Sequence, residues 1–200
     1  MTWDGAGASK HRTMQRKTFS YGRMLVKICS LLVLLTHQDA LAARNEVSEY
    51  QAKTALIFNF AKLATWPPEA FAHGDSTFVF AVLGPNPFGA ALELIRGKSM
   101  HGRSIEIRQY NSVAEFQSCQ VLFCSPDSLN ELRQKYPTRF AKGHTLTVGQ
   151  VDGFARMGGI LHLTFVEDHL AFLVNLSAAR RAQIEISANL LNLAIEVIED

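Results

Sequence analysis

Cysteine and proline are scarce in this sequence, and each scarcity excludes a class of protein. Three cysteines among 200 residues are too few for a disulfide-dense mini-protein, and six prolines are too few for a collagen-like chain. Hydrophobic residues still make up 48% of the chain, which is enough to bury a core and is not typical of a disordered tail. The composition therefore predicts a globular protein with one domain after any leader.

A dense positive surface is also missing from the part of the chain that is expected to fold. Residues 1–42 contain six Lys or Arg and two Asp or Glu. The whole chain has 20 and 18, so residues 43–200 keep 14 cations and 16 anions, a balance of −2. Nucleic-acid-binding domains carry a strongly positive face, so we expect no nucleic-acid partner.

Residues 1–42 are predicted to be a secretory signal peptide. Basic residues precede the short apolar run Ile28–Leu35, and the small residues Ala40 and Ala42 stand where a cleavage site needs them. The run is well short of the ~20 residues that a membrane-spanning helix requires. We therefore expect cleavage after Ala42 and a mature protein in the periplasm. A retained membrane anchor is the alternative.

Met24 offers a second start for this signal peptide. A chain that begins there still carries Lys27 and the apolar run, and residues 1–23 are then an N-terminal extension. Both starts stay open on sequence alone. Both leave residues 43–200 as the mature domain.

Two cysteines, Cys119 and Cys124, remain after removal of the leader, which contains Cys29. They flank an apolar segment that is predicted to be a buried strand, where five residue steps span ~16 Å. A disulfide needs its two α-carbons within ~7 Å of each other. We therefore expect no bond between these cysteines within one chain.

The mature domain alternates between helix and strand patterns. A segment without Gly or Pro predicts a helix over 46–65, which ends at Trp66-Pro67-Pro68. Short apolar runs between turn residues predict the inner strands of a mainly parallel sheet, with helices between them. The predicted strands are Thr77–Leu83, Ser104–Tyr110, Val121–Cys124 and Thr145–Val148, and the predicted intervening helices are Phe88–Ile95, Ser112–Gln117 and Ser125–Tyr136.

The last third of the chain has a different pattern. The runs Ile160–Val166 and His169–Leu176 flank Glu167-Asp168, which predicts an antiparallel hairpin. A long closing helix is predicted over Ala178–Ile198, with Ser177 as its N-cap. The predicted fold class is α/β: a three-layer sandwich with a mainly parallel sheet, a C-terminal antiparallel hairpin and the closing helix.

The first predicted helix is apolar on two sides. One stripe includes Tyr50, Phe58 and Ala61, and another includes Phe60 and Leu63. A helix of this kind must be covered on both faces. Two interpretations stay open: a core helix between layers, or a helix with one face reserved for a partner.

Motifs of the common enzyme classes are missing. The chain has no G-x-S-x-G elbow, no H-E-x-x-H zinc pair and no phosphate-binding P-loop. Gly84–Gly89 lies between a strand and a helix, as phosphate loops do, but its two prolines remove N–H donors and favour a rigid turn. His162 and His169 could meet across the hairpin, yet two imidazoles without a third ligand are weak evidence for a metal. No catalytic residue, metal or cofactor is predicted, and an enzyme is the least favoured alternative.

Several residues at the ends of predicted elements are candidates for binding. Gly158 and Gly159 precede a strand, where they indicate close backbone approach or a positive φ. Asn175 lies near the end of the next strand. Arg180 and Arg181 fall in the first turn of the predicted closing helix, where positive charge opposes the helix dipole. A cation at this position can bind an anionic ligand, form a salt bridge within the protein or remain solvated, and the sequence pattern leaves all three interpretations open.

A set of short segments carries a family resemblance when they are taken in order. They are Tyr50–Lys62, Trp66-Pro67, Val82–Gly84 with Pro87–Gly89, Leu146–Gly149, Gly153–Ala155 with Gly158-Gly159, Asn175-Leu176 with Ala178-Ala179, and Leu190–Ala194. Over about residues 47–196, the chain resembles the YfiR-like family of small periplasmic proteins. The resemblance implies a dimer-capable α/β fold without catalysis. It also implies binding to the periplasmic domain of an inner-membrane diguanylate cyclase, which is repressed so that cyclic di-GMP synthesis falls.

Some members of that family respond to redox state through cysteine pairs. One such pair lies in the segment that corresponds here to residues 155–162, where this chain has no cysteine. Only Cys119 aligns with a family half-cystine. We therefore do not expect redox control by that route.

Two functions follow from these expectations. The first is a periplasmic, non-enzymatic repressor of a membrane diguanylate cyclase, with a second copy of the chain and an outer-membrane lipoprotein as further expected partners. The second is a periplasmic small-ligand sensor, with Asn59, Trp66, Asn175 and Arg180 forming a cleft at the strand ends. Gly158 and Gly159 complete the candidate ligand- or partner-binding residues.

Overall fold

A computed structural model describes residues 49–71, 77–138 and 143–199. The predicted signal peptide and its cleavage site lie outside the described residues. Within the described part of the chain, no helix has the length and apolar character needed to cross a membrane.

Most of the strands belong to one mixed sheet. In chain order, the strands of the described residues are β1 (Ala64–Thr65), β2 (Thr77–Leu83), β3 (Ser99–Met100), β4 (Arg103–Tyr110), β5 (Val121–Cys124), β6 (Leu146–Gly149), β7 (Leu161–Val166), β8 (His169–Asn175), β9 (Glu185–Ile186) and β10 (Glu196–Ile198). The order in the eight-stranded sheet is β10-β8-β7-β6-β5-β2-β4-β3, and β1 pairs with β9 separately. Only β7 with β8 and β3 with β4 are antiparallel in the large sheet. The prediction of an α/β fold with a mainly parallel sheet is confirmed.

The central strand β2 shows why these segments form inner strands. All of its residues except Thr77 are buried. Phe78, Phe80 and Val82 face one apolar cluster, and Val79 and Ala81 face another on the opposite side of the sheet. A strand that is apolar on both faces is stable only where both faces are covered, which explains the continuous run in the sequence.

Helices cover these two clusters. Among the described residues, the longer α-helical segments are α1 (residues 49–63), α2 (Pro126–Lys135), α3 (Leu176–Arg181) and α4 (Ala188–Leu193). Ser125 caps α2 by accepting a hydrogen bond from the Ser128 backbone N–H at 3.2 Å. The segments predicted as short helices at 88–95 and 112–117 contain the 3-10 turns Gly89–Leu94 and Val113–Glu115 instead.

Helix α1 packs mainly into the core. Ile57 and Phe60 are almost fully buried, and Tyr50 and Phe58 pack against the same cluster. Leu63 is 52% exposed at the end of the helix. Of the two interpretations of its apolar stripes, the structure favours the core helix.

The predicted closing helix over Ala178–Ile198 is wrong. Helix α3 ends at Arg181, because Gln183 has a φ of +58° that no α-helix can contain. The chain then forms β9, α4 and β10, so the segment contributes an edge strand parallel to β8. Its N-cap is also different from the predicted Ser177: the Asn175 side chain caps α3.

The β7–β8 hairpin matches its prediction, and its turn can be improved. Glu167 and Asp168 are exposed and have φ values of +49° and +62°, a left-handed geometry that favours Asn and Gly. We expect the double change Glu167→Asn and Asp168→Gly to raise the free energy of unfolding by about 1 kcal/mol. Urea unfolding measures it, and an unchanged or lower midpoint would contradict the turn geometry.

Candidate functional site

The turn between β6 and β7 is built around Phe154, whose side chain is fully buried. A Cβ added at Gly149 would lie 2.3 Å from the Phe154 ring, and one added at Gly159 would lie 2.0 Å from it. Real Cβ atoms do not approach that closely, so both glycines are needed for the ring to fit between them. The prediction of close backbone approach at Gly159 is confirmed.

Asn175 connects this turn to α3. Its side-chain Nδ2 donates to the Ala155 carbonyl at 2.8 Å, and its Oδ1 accepts from the Ala178 backbone N–H at 2.7 Å. The residue is only 1% exposed. Both polar ends of the side chain therefore bond to backbone groups of the fold.

Gly158 brings α2 against the same turn. Its φ is +95°, and a Cβ there would lie 2.5 Å from Nη1 of Arg133. That Nη1 donates to the neighbouring Met157 carbonyl at 2.6 Å. The positive φ expected for this glycine pair is therefore found at Gly158, where it admits the arginine.

A cavity of about 210 Å³ lies beside Gly158, between α2 and α3. Its polar lining combines two exposed arginines with two buried threonines. The lining residues are Arg133, Pro137, Thr145, Thr147, Gly158, Ile160, Ala178, Arg181 and Ala182. Gly158 is the one residue of the predicted site that borders this cavity.

Trp66 is a core residue that hydrogen-bonds to the segment preceding β6. Its indole Nε1 donates to the His144 carbonyl at 2.8 Å, and its ring packs edge-on against Phe78 at 5.3 Å between centroids. The His144 Nδ1 lies 3.1 Å from the Ala182 carbonyl. Trp66 thus joins the end of α1 to the end of α3 and is 7% exposed.

The cleft predicted from four side chains is not assembled. Asn175 and Trp66 are buried, whereas Asn59 is exposed on α1. Arg180 is exposed, lies 3.7 Å from Glu199, and borders a separate open groove with Leu176 and other residues. Since α3 ends at Arg181, both arginines sit at the C-terminal turn, where the dipole favours positive charge. The prediction that they oppose the dipole is wrong because the helix is short.

Lys53 is a buried polar residue that the sequence reasoning missed as a site. It is 4% exposed, forms an ion pair with Glu49, and donates to Gln150 Oε1 at 2.8 Å. Its ammonium also lies 4.7 Å from the Tyr50 ring centroid. A lysine in the middle of an apolar helix, with Glu49 four residues before it, was the available signal.

His162 and His169 do not meet across the hairpin. His162 pairs with Leu173, and His169 pairs with Val166, so the two histidines stand at different positions of the ladder. Burial lowers the pKa of His162, against an opposing effect of Asp152. No group of three metal-ligating side chains occurs among the described residues.

The Gly84–Gly89 loop forms a turn that uses its own N–H groups. Gly84 N–H donates to the Tyr110 carbonyl at 2.8 Å, and Phe88 N–H donates to Asn86 Oδ1 at 2.9 Å. These donors are therefore not available to a phosphate. The interpretation as a rigid turn is favoured.

Both cysteines of the described domain are free and buried. Burial raises the pKa of the Cys119 thiol to about 12 and raises that of Cys124 as well. Both are therefore protonated thiols at neutral pH, and a protonated thiol is a poor nucleophile.

Apolar side chains are exposed between the end of α4 and strand β10. Leu193 is 68% exposed, Ile195 53% and Val197 37%. Strand β10 is the last strand of the sheet on this side and pairs only with β8 among the described strands. We call Leu193, Ile195 and Val197 the C-terminal stripe.

A comparison with protein families matches residues 50–195 to a family described as YfiR/HmsC-like. The chain belongs to the YfiR/HmsC-like family. The match spans every described element from α1 to α4, including the Phe154 turn and Asn175. The resemblance drawn from the ordered sequence segments is thus confirmed, and the theme of this family is regulation.

Comparisons with individual proteins add little to the family assignment. No curated protein matches. A solved conserved domain protein from Vibrio cholerae O1 biovar El Tor is 14% identical with a TM-score of 0.48, covering 74% of this chain and 60% of its own. A solved ABC domain in complex with L-Trp from Streptococcus pneumonia is 14% identical with a TM-score of 0.39, covering 60% and 55%. The chain thus spans less than two thirds of either structure.

Proposed function

We propose that this chain is a periplasmic, non-enzymatic regulator that binds the periplasmic domain of an inner-membrane diguanylate cyclase and represses it, so that cyclic di-GMP falls. Membership of the YfiR/HmsC-like family over residues 50–195 is the observation that carries the proposal. The predicted signal peptide supports the periplasmic location.

Repression of this kind is a shift between two states of the cyclase. The regulator binds one conformation of the periplasmic domain more tightly than the other, and the favoured conformation keeps the cytoplasmic catalytic halves apart or misaligned. A protein that acts this way needs a partner surface but no catalytic group.

The C-terminal stripe has the chemistry of a partner surface. Its three apolar side chains are exposed between the end of α4 and strand β10. Exposed apolar side chains that follow one another in this way are typical of an interaction surface. The open backbone of β10 adds hydrogen-bonding groups that a partner strand can use.

Two further partners belong to the same proposal. A second copy of the chain would form a homodimer, and an outer-membrane lipoprotein would be a further binding partner in the periplasm. Sedimentation of the mature protein alone, and then with a purified lipoprotein, tests each of them separately.

Deletion of the gene tests the proposal directly. In a strain that expresses a membrane diguanylate cyclase encoded nearby, loss of the regulator should raise cyclic di-GMP, and a plasmid copy should restore the lower level. An unchanged level after deletion would count against repression.

Leu193→Lys is expected to abolish repression while the protein stays folded. The side chain is exposed, so the change alters stability by less than about 0.5 kcal/mol, but a charge in an apolar contact weakens partner binding about tenfold or more. Cyclic di-GMP should then match the deletion strain.

Leu94→Lys is the matched control for this change. Leu94 is also a leucine at the end of a short helix and is 52% exposed, but it lies outside the stripe. It should repress like the natural protein. Equal effects of the two variants would show that the stripe is not the contact surface.

A further inference from the structure

The cavity between α2 and α3 offers a ligand hydrogen-bond donors. Its charged lining groups are the guanidinium groups of Arg133 and Arg181, and no carboxylate is among the described residues that line it. Its remaining walls are apolar, formed by Ile160, Ala178 and Ala182 among others. Donors at one side and alkyl groups at the other suit an anion with an apolar body.

Thr147 adds a third donor from the buried side of the cavity. It is 1% exposed, and its hydroxyl oxygen accepts from the Ile160 backbone N–H at 3.0 Å. An oxygen that accepts this bond still carries its own hydrogen and can donate it. A ligand oxygen in the cavity is an acceptor of the kind that such a hydroxyl can use.

The two arginines differ from their exposed neighbour Arg180. Arg133 is held by the Met157 carbonyl through one nitrogen, which leaves its other donors free to face a ligand. Arg181 forms no ion pair with any described residue, whereas Arg180 lies beside Glu199. Adjacent arginines on one short helix thus have separate surroundings, and only Arg181 borders the cavity.

We propose that this cavity binds a small organic anion, with a carboxylate held between Arg133, Arg181 and Thr147 and an apolar body against Ile160 and the alanines of α3. The volume of about 210 Å³ is the room of roughly seven water molecules at ~30 Å³ each, which is enough for a monocarboxylate of the size of benzoate. This site is separate from the C-terminal stripe and does not depend on repression of a cyclase.

Isothermal titration of the mature protein with sodium benzoate tests the site. Benzoate should bind saturably at one site, with a Kd on the order of 1 mM. Benzamide has the same shape without the charge and should not bind measurably. Inorganic phosphate has the charge without the apolar body and should bind more weakly than benzoate.

Arg181→Gln should weaken benzoate binding about tenfold or more, because a charge-assisted hydrogen bond is lost. Arg180→Gln removes the same charge one residue away and should leave the Kd unchanged. Arg133→Gln is the second variant at the cavity, and the NMR spectrum of each variant verifies that it is folded.

Four results would overturn the proposal. Absence of saturable benzoate binding, or equal binding of benzamide, would exclude an anion site. If the Arg180 and Arg181 variants lost benzoate affinity equally, binding would depend only on the overall charge of the protein. If phosphate bound more tightly than benzoate, the apolar walls of the cavity would not contribute to ligand recognition. None of these results affects repression, which the Leu193 variant tests independently.

Discussion

Gly159→Ala is expected to lower the free energy of unfolding by about 3 to 5 kcal/mol. The added methyl would lie 2.0 Å from the ring of Phe154, which is fully buried and is held on its other side by Gly149. The ring cannot move aside without leaving its pocket, so the cost approaches that of losing a buried phenylalanine. The melting temperature should fall by about 10 °C.

Gly97→Ala is the control for backbone effects. Gly97 has a φ of +73° and nothing within 4 Å of an added Cβ, so only the strain of a left-handed alanine applies there. Its cost should be about 1 kcal/mol.

A double-mutant cycle identifies the Phe154 contact as the cause. In the Gly159→Ala background, Phe154→Ala should cost far less than the ~3 to 5 kcal/mol expected in the natural protein, because the clash disappears with the ring. Additive losses would place the effect of Gly159 elsewhere.

The inner strands could be predicted because a strand that is buried on both faces requires an apolar residue at nearly every position. The run Thr77–Leu83 is apolar at nearly every position, and the structure buries it on both faces. Strand β5 and helix α2 follow the same logic, since Ser125 is an N-cap signal directly after an apolar run. Local pattern and tertiary environment agree in these segments.

The C-terminal segment could not be predicted from its periodicity. Apolar residues recur there at helical spacing, but Gln183 adopts a positive φ without the Gly or Asn that usually marks a helix end. Pairing of β9 with β1 and of β10 with β8 decides the outcome, and both contacts are distant in sequence. Ser187, which caps α4, was the local signal for a new helix start.

The candidate site residues fall into two groups, according to whether a local sequence pattern or a distant contact determines their role. Gly158 and Gly159 are special because of backbone geometry, which a glycine pair before a strand signals directly. Asn175 and Trp66 each use a side-chain N–H group to bond the backbone carbonyl of a distant segment, at Ala155 and His144 respectively. Sequence shows the unusual residue type but not the buried partner, so a structural role can be mistaken for a ligand contact.

Asn175→Ala is expected to lower the free energy of unfolding by about 2 to 4 kcal/mol. Two losses combine: the cap of α3 at Ala178, and the bond to the buried Ala155 carbonyl, which then keeps only the Gly158 backbone N–H at 3.0 Å as a donor. Both break at a residue that water does not reach, so solvent cannot replace them. Urea unfolding followed by circular dichroism measures the sum.

Asn175→Ser separates the cap of α3 from the bond to the Ala155 carbonyl, and Ser187→Ala is the control for the loss of a helix cap alone. Serine can still cap α3, but it is too short to reach the Ala155 carbonyl, so its cost should be smaller than that of alanine. Ser187 caps α4 from a half-buried position, with Oγ 3.4 Å from the Leu190 N–H, and its removal should cost at most about 1 kcal/mol. If all three variants lowered the free energy of unfolding by the same amount, the bond between Asn175 and the Ala155 carbonyl would contribute nothing beyond an ordinary helix cap. The tie between the Phe154 turn and α3 would then depend on apolar packing alone.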